Sequence, residues 1–106
     1  MSERLSEILK ELRQGLEALY GDRLVKTVVY GSQARGDARP WSDIDVAAVL
    51  RGPVDPFAEL HRSGELVADL SLRYDTVIHC KFVAEEELAH GDAPLLRNIV
   101  KEGIAV

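Results

Sequence analysis

A chain of 106 residues is long enough for one modest core and too short for two, so residues 1–106 read as a single domain. With 46% apolar and 29% charged residues it belongs with folded globular proteins; its net charge of −5 and lack of a Lys/Arg cluster exclude generic binding to long nucleic acid. A single cysteine, Cys80, excludes an intrachain disulfide and a cysteine-rich zinc site.

From the N-terminus, MSERLSEILK is charged throughout, unlike a secretory signal, and no apolar run approaches the ~20 residues that cross a bilayer. The cytoplasm is therefore the default location, with no membrane partner. Leu5, Ile8, Leu9, Leu12, Leu16 and Leu19 make one helical stripe over 3–20, which Gly21-Asp22 ends. LVKTVVY (24–30) is rich in β-branched and aromatic residues and predicts a strand. After a segment broken by Pro40, DIDVAAVL (43–50) predicts a second strand, and RGPVDP a turn.

A helix follows from about Phe57 to Tyr74, with Phe57, Leu60, Val67 and Leu70 facing inward and Gly64 as a weak point. DTVIHCKFV (75–83) predicts a third strand whose apolar face is Thr76, Ile78, Cys80 and Phe82. Within it Cys80 reads as a small buried hydrophobe. Residues 84–90 form a short acidic helical turn. The last helix follows Asp92, with Pro94 in its first turn, Leu95, Leu96, Ile99 and Val100 as its apolar side, and Gly103 as its stop. This order predicts an α/β fold: a small mixed sheet of about three strands flanked by helices.

The chemistry lies in YGSQARGDARPWSDIDV, residues 30–46. Asp43 and Asp45, two residues apart on a strand, point the same way, about 7 Å apart. Carboxylates that close repel, and one takes up a proton unless a cation lies between them. Mg²⁺ favours such oxygen sites, keeping some waters and binding substrate phosphates as well, and a pair of ions suits phosphoryl transfer.

Gly31 and Ser32 supply the other half. A glycine at a strand end lets the backbone approach a ligand, and Ser32 caps a short helix whose free N–H groups face a phosphate. Arg35 and Arg39 stand ready to add charge-assisted contacts. Each feature alone is common; their conjunction, strand–GS–short helix–turn–DxD–strand, is specific for a nucleotide-handling site.

Gly31-Ser32, ten residues, then Asp43-Ile44-Asp45 resembles the GS-x10-DxD signature of the polymerase-β-like nucleotidyltransferase superfamily. The fuller run GSQARGDARPWSDIDV is similar to its smallest members, the minimal nucleotidyltransferases, often encoded beside a HEPN-domain partner. The resemblance implies the polymerase-β-like fold and Mg²⁺-dependent transfer of a nucleoside monophosphate from ATP or another nucleoside triphosphate to a hydroxyl. It further implies an antitoxin that adenylylates a HEPN-domain toxin. Carried over by position, Gly31 and Ser32 hold the triphosphate, and Asp43 and Asp45 bind one or two metal ions.

One departure stands out. The superfamily carries a third carboxylate on a later strand, and that position is filled here by His79. A neutral imidazole is a poor Mg²⁺ ligand but a competent proton acceptor from an attacking hydroxyl; a polar residue on an open face is the plain alternative. Asp75 would substitute if the third strand began later. A degenerate site leads to a second reading, a binding module that neutralises its partner by covering it. Nucleotidylation of a small molecule is a third, disfavoured by the short chain. Elsewhere, Tyr30 reads as strand packing, His61 and His90 as solvent-facing, Trp41 as a loop anchor or a stacking surface, and Glu85-Glu86-Glu87 as a solvated helix start. Self-association through the first or last helix is left open.

Overall fold

The structure is a computed structural model and describes residues 1–39 and 41–106; the breaker expected at Pro40 lies outside the described residues. Helix α1 (Glu3–Tyr20) starts where Ser2 accepts the Leu5 N–H and buries Leu5, Ile8, Leu9, Leu12, Leu16 and Tyr20. Leu19, expected in that stripe, is exposed, and Tyr20 takes its place inside. A 3-10 turn (Gly21–Arg23) leads into strand β1 (Leu24–Tyr30). Helix α2 is a single turn (Ser32–Arg35), and strand β2 runs from Ile44 to Leu50. Helix α3 (Pro56–Arg73), capped by Asp55, carries the chain across to strand β3 (Ile78–Ala84). Helices α4 (Glu85–His90) and α5 (Pro94–Glu102) follow, and a two-residue strand β4 (Ile104–Ala105) closes the order.

The sheet has the order β3-β2-β1-β4. β1 is antiparallel to β2 and β4, whereas β2 and β3 are parallel and joined through α3. The mixed α/β class holds, but among the described residues the sheet has four strands, not about three. β4 escaped notice because two residues carry no readable alternation; its pairing with Val28 and Val29 is reinforced by Thr27 Oγ1 donating to the Val106 carbonyl at 2.8 Å.

Both faces of the sheet are covered, which explains why β2 is almost continuously apolar. Ile44, Val46, Ala48 and Leu50 join α1, Leu70 and Ile78 in the larger core. On the reverse face Ala47 and Val49 meet Val28, Tyr30, Val83, Leu96 and Ile99. Each fully buried Leu or Ile there contributes roughly 1.5–3 kcal/mol.

Helix α3 departs from expectation. Its buried residues are Glu59, Ser63 and Leu70, while Phe57 and Leu60 are 85% and 62% exposed. The helix is rotated because Glu59 finds a polar shell inside: Tyr20 donates to it at 3.0 Å, with Arg23 at 3.7 Å and Arg62 at 3.9 Å. A charge buried with its partners does not force a helix to turn it outward. In α5, Leu96 and Ile99 are buried as expected, but Leu95 and Val100 are exposed. The third strand starts at Ile78, leaving Thr76 and Asp75 in the turn before it.

Candidate functional site

The site is assembled from the end of β1, the start of β2 and the start of β3. In the β1–β2 ladder Tyr30 pairs with Asp45, so Gly31 emerges directly beside that carboxylate. Gly31 has φ 73° and ψ −151°, a conformation essentially reserved for glycine. A Cβ at this position would lie 2.7 Å from Asp45 Oδ2. The backbone conformation therefore calls for glycine, and a Cβ here would also oblige the Asp45 carboxylate to shift.

The cap of α2 is Gly31, and no side chain caps this helix, which corrects the expectation for Ser32. The Gly31 carbonyl takes the N–H groups of Ala34 and Arg35 at 3.1 and 3.0 Å. Ser32 begins the helix itself, so its N–H and that of Gln33 are the ones without an intrahelical partner. Gln33, which sequence reasoning passed over, reaches across the following loop to the Ser42 carbonyl at 3.4 Å.

Asp45 lies in β2 and Asp43 immediately before it, and the parallel ladder sets His79 beside Asp45. His79 Nε2 lies 2.9 Å from Asp43 Oδ2, with the two side chains 48% and 49% exposed. Farther along the same face Ala47 and Val49 are covered by Leu96 and Ile99. The acids thus occupy the open half of a face whose other half is packed. Tyr30 is buried next to them; burial, then the Asp45 charge, pushes its hydroxyl up to about 12.

The two arginines sit differently. Arg35 is held by Asp37 at 3.2 Å and Glu102 at 3.1 Å. Arg39 is exposed and lines a cavity of about 350 Å³ with Gln33, Ser42, Ile44, Arg4 and Thr76, a lining without either site aspartate. Trp41 is 77% exposed, and His61, His90 and Glu85–Glu87 are exposed as well. Asp75 stands in the turn after α3 at φ 49°; the third strand does begin later, yet among the described residues no third acid joins the pair.

Among the described residues no three His, Cys, Asp or Glu side chains gather into a metal cage. The donor set nonetheless fits a hard divalent cation held in part by substrate. Mg²⁺ is commonly bound through one or two carboxylates, with waters and substrate phosphates completing its shell. Asp43 and Asp45 would supply the carboxylates for such a cation.

The nucleotidyltransferase domain pattern matches residues 7–106. The chain belongs to that family. A Methanocaldococcus jannaschii relative described as a candidate protein adenylyltransferase is 35% identical to this nucleotidyltransferase over 97 residues, 90% of each chain. A second protein of that organism with the same description is 31% identical over 72 residues, 68% of this chain and 72% of its own. The enzyme class expected from GS-x10-DxD is thereby shown.

Solved structures agree on the fold. A chain of a toxin–antitoxin complex with AMP-PNP superposes with a TM-score of 0.66 at 21% identity, covering 91% of this nucleotidyltransferase and 69% of that chain. A chain from the complex of a tri-AMPylated Shewanella oneidensis HEPN toxin with its MNT antitoxin gives 0.57 at 19% identity, covering 96% and 67%. No helix among the described residues is long and apolar enough to cross a membrane.

Proposed function

We propose that this nucleotidyltransferase moves a nucleoside monophosphate, AMP from ATP, onto a hydroxyl of a HEPN-domain toxin, and so acts as its antitoxin. The observation that supports the reading most is the convergence of Gly31, Asp45, Asp43 and His79 at one open end of the sheet. The relatives described as protein adenylyltransferases and the AMPylated HEPN complex point to the nucleotide and to the class of partner.

In this reading Gly31 and Ser32 hold the triphosphate, and Asp43 and Asp45 hold Mg²⁺, which when bound neutralises phosphate charge. The acceptor oxygen forms a bond to the α-phosphorus while the bond to the β-phosphate oxygen breaks. Pyrophosphate leaves, and the hydroxyl proton passes to His79. Positioning supplies much of the rate, because little covalent chemistry is asked of the protein. Arg35, paired with Asp37 and Glu102, and the exposed Arg39 are the candidates for outer phosphate contacts. The reaction is placed in the cytoplasm, where nucleoside triphosphates are available.

Incubation with α-labelled ATP, Mg²⁺ and a HEPN-domain protein encoded beside this chain tests the reading. Label should appear on the partner and vanish with Asp43→Ala or Asp45→Ala. Label absent, or surviving both substitutions, refutes it. The lack of a three-ligand cluster among the described residues favours one second reading, a binding module that neutralises by association. Neutralisation that survives Asp43→Ala without nucleotide transfer would establish that one instead.

A further inference from the structure

Strand β3 ends the sheet: among the described residues nothing pairs with its outer edge. The Ile44 N–H bonds the Val77 carbonyl, and Ile44 pairs with Ile78. In a parallel ladder this phase turns the N–H and C=O groups of Ile78, Cys80 and Phe82 away from β2. Such an edge is a template for another extended chain.

Beside it runs a groove of about 310 Å³ between α3 and β3. Leu60, Gly64, Val67 and Ala68 form one wall, and Ile78 to Lys81 form the other. Gly64 faces open space, with nothing within 4 Å of the place a Cβ would take. Phe57, one turn before Leu60, extends the same side of the helix and is also exposed. Ser63 lies in the lining, only 1% exposed, and its hydroxyl has no hydrogen-bond partner among the described residues. A buried hydroxyl without a partner is costly, and a ligand in the groove would relieve it.

The groove is continuous with the site, because His79 borders it and also contacts Asp43. We propose that an extended, hydroxyl-bearing segment of the acceptor protein docks as an added strand along β3, its side chains seated between Leu60, Gly64 and Val67. An added strand turns alternate side chains to opposite faces. One set enters the groove and meets Ser63; the other faces the side of the sheet that carries Asp43, Asp45 and His79. The docked segment thus brings a hydroxyl to the reacting phosphate without a second domain. This proposal rests on the nucleotidyl-transfer reading.

The test selects short displayed peptides, each with a central Ser, Thr or Tyr, against the full chain with AMP-PNP and Mg²⁺. Selected peptides should slow amide exchange at Ile78 and Cys80, and Gly64→Phe should weaken them roughly tenfold or more. AMP-PNP affinity should be unchanged in that variant. If Gly64→Phe misfolds by circular dichroism, Leu60→Glu, at an exposed position, should give the same loss. No enriched peptide, unprotected amides, or equal binding by the variants overturns the proposal, as does sedimentation showing two copies of this chain paired through β3. Wild-type protein that binds peptide on β3 but neither binds AMP-PNP nor transfers label from ATP overturns the transfer reading while leaving the docked strand standing.

Discussion

His79 Nε2 lies 2.9 Å from Asp43 Oδ2, so the imidazole occupies an oxygen that a metal ion would also use. In the proposed reading a bound cation and the ring would compete for Asp43. His79→Ala should therefore leave divalent-cation affinity equal or higher while transfer falls roughly 10²-fold, the scale of a lost general base. Asp43→Ala and Asp45→Ala should lose both cation affinity and roughly 10²-fold or more in rate. Initial rates with α-labelled ATP, beside Mn²⁺ titrations followed by electron paramagnetic resonance, separate the two roles.

Gly31→Ala meets two obstacles at once, a backbone conformation with φ 73° and an Asp45 oxygen 2.7 Å from the new Cβ. The backbone penalty is about 1–3 kcal/mol. For a domain of this size each kcal/mol lowers Tm by roughly 4–8 °C. Transfer should fall further than stability, since Asp45 must move aside. Thermal melts and initial rates on the same preparation check this.

Tyr20→Phe strips Glu59 of its hydrogen bond at 3.0 Å while keeping the ring in the core. The expected loss is about 1–3 kcal/mol, read from urea unfolding. Nucleotide affinity should not change, because this cluster lies on the α1–α3 face and the site on the other.

Alkaline pH should destabilise the fold. Burial pushes the Cys80 thiol from 9.0 up to about 12. Tyr20 rises from 10.0 to about 12, through burial and then its hydrogen bond to Glu59, and Tyr30 rises as far through burial and then the Asp45 charge. Each proton is held more tightly in the folded chain, so the unfolded chain releases it first and rising pH favours unfolding. Their stabilisation is complete below about pH 9 and drains toward pH 12. Urea midpoints measured across that range should decline steadily. In the neutral range Cys80 should resist alkylating reagents until the chain unfolds.

Much of this could be read before folding, for a physical reason. Strands β1 and β2 announce themselves through β-branched runs, and the side shared by Asp43 and Asp45 follows from a period of two. The same alternation put His79 on the polar side of the third strand, whereas its place across from Asp45 is set by the parallel register. What stayed hidden depends on partners distant in sequence. Glu59 looks like surface until Tyr20, Arg23 and Arg62 surround it, so the inner side of α3 was assigned to Phe57 and Leu60. β4 exists only because β1 offers an edge to two residues. Ser32 has the chemistry of a helix cap, but the strain at Gly31 gives that place to the glycine.

The pairing of Tyr30 with Asp45 has a consequence for how such a site survives change. The separation between the Gly31 turn and the Asp45 carboxylate is measured by one rung of a ladder, not by the ten residues between Ser32 and Asp43. The spacing between Gly31 and the Asp45 carboxylate thus stays where the β1–β2 ladder sets it, whatever lies at the rim.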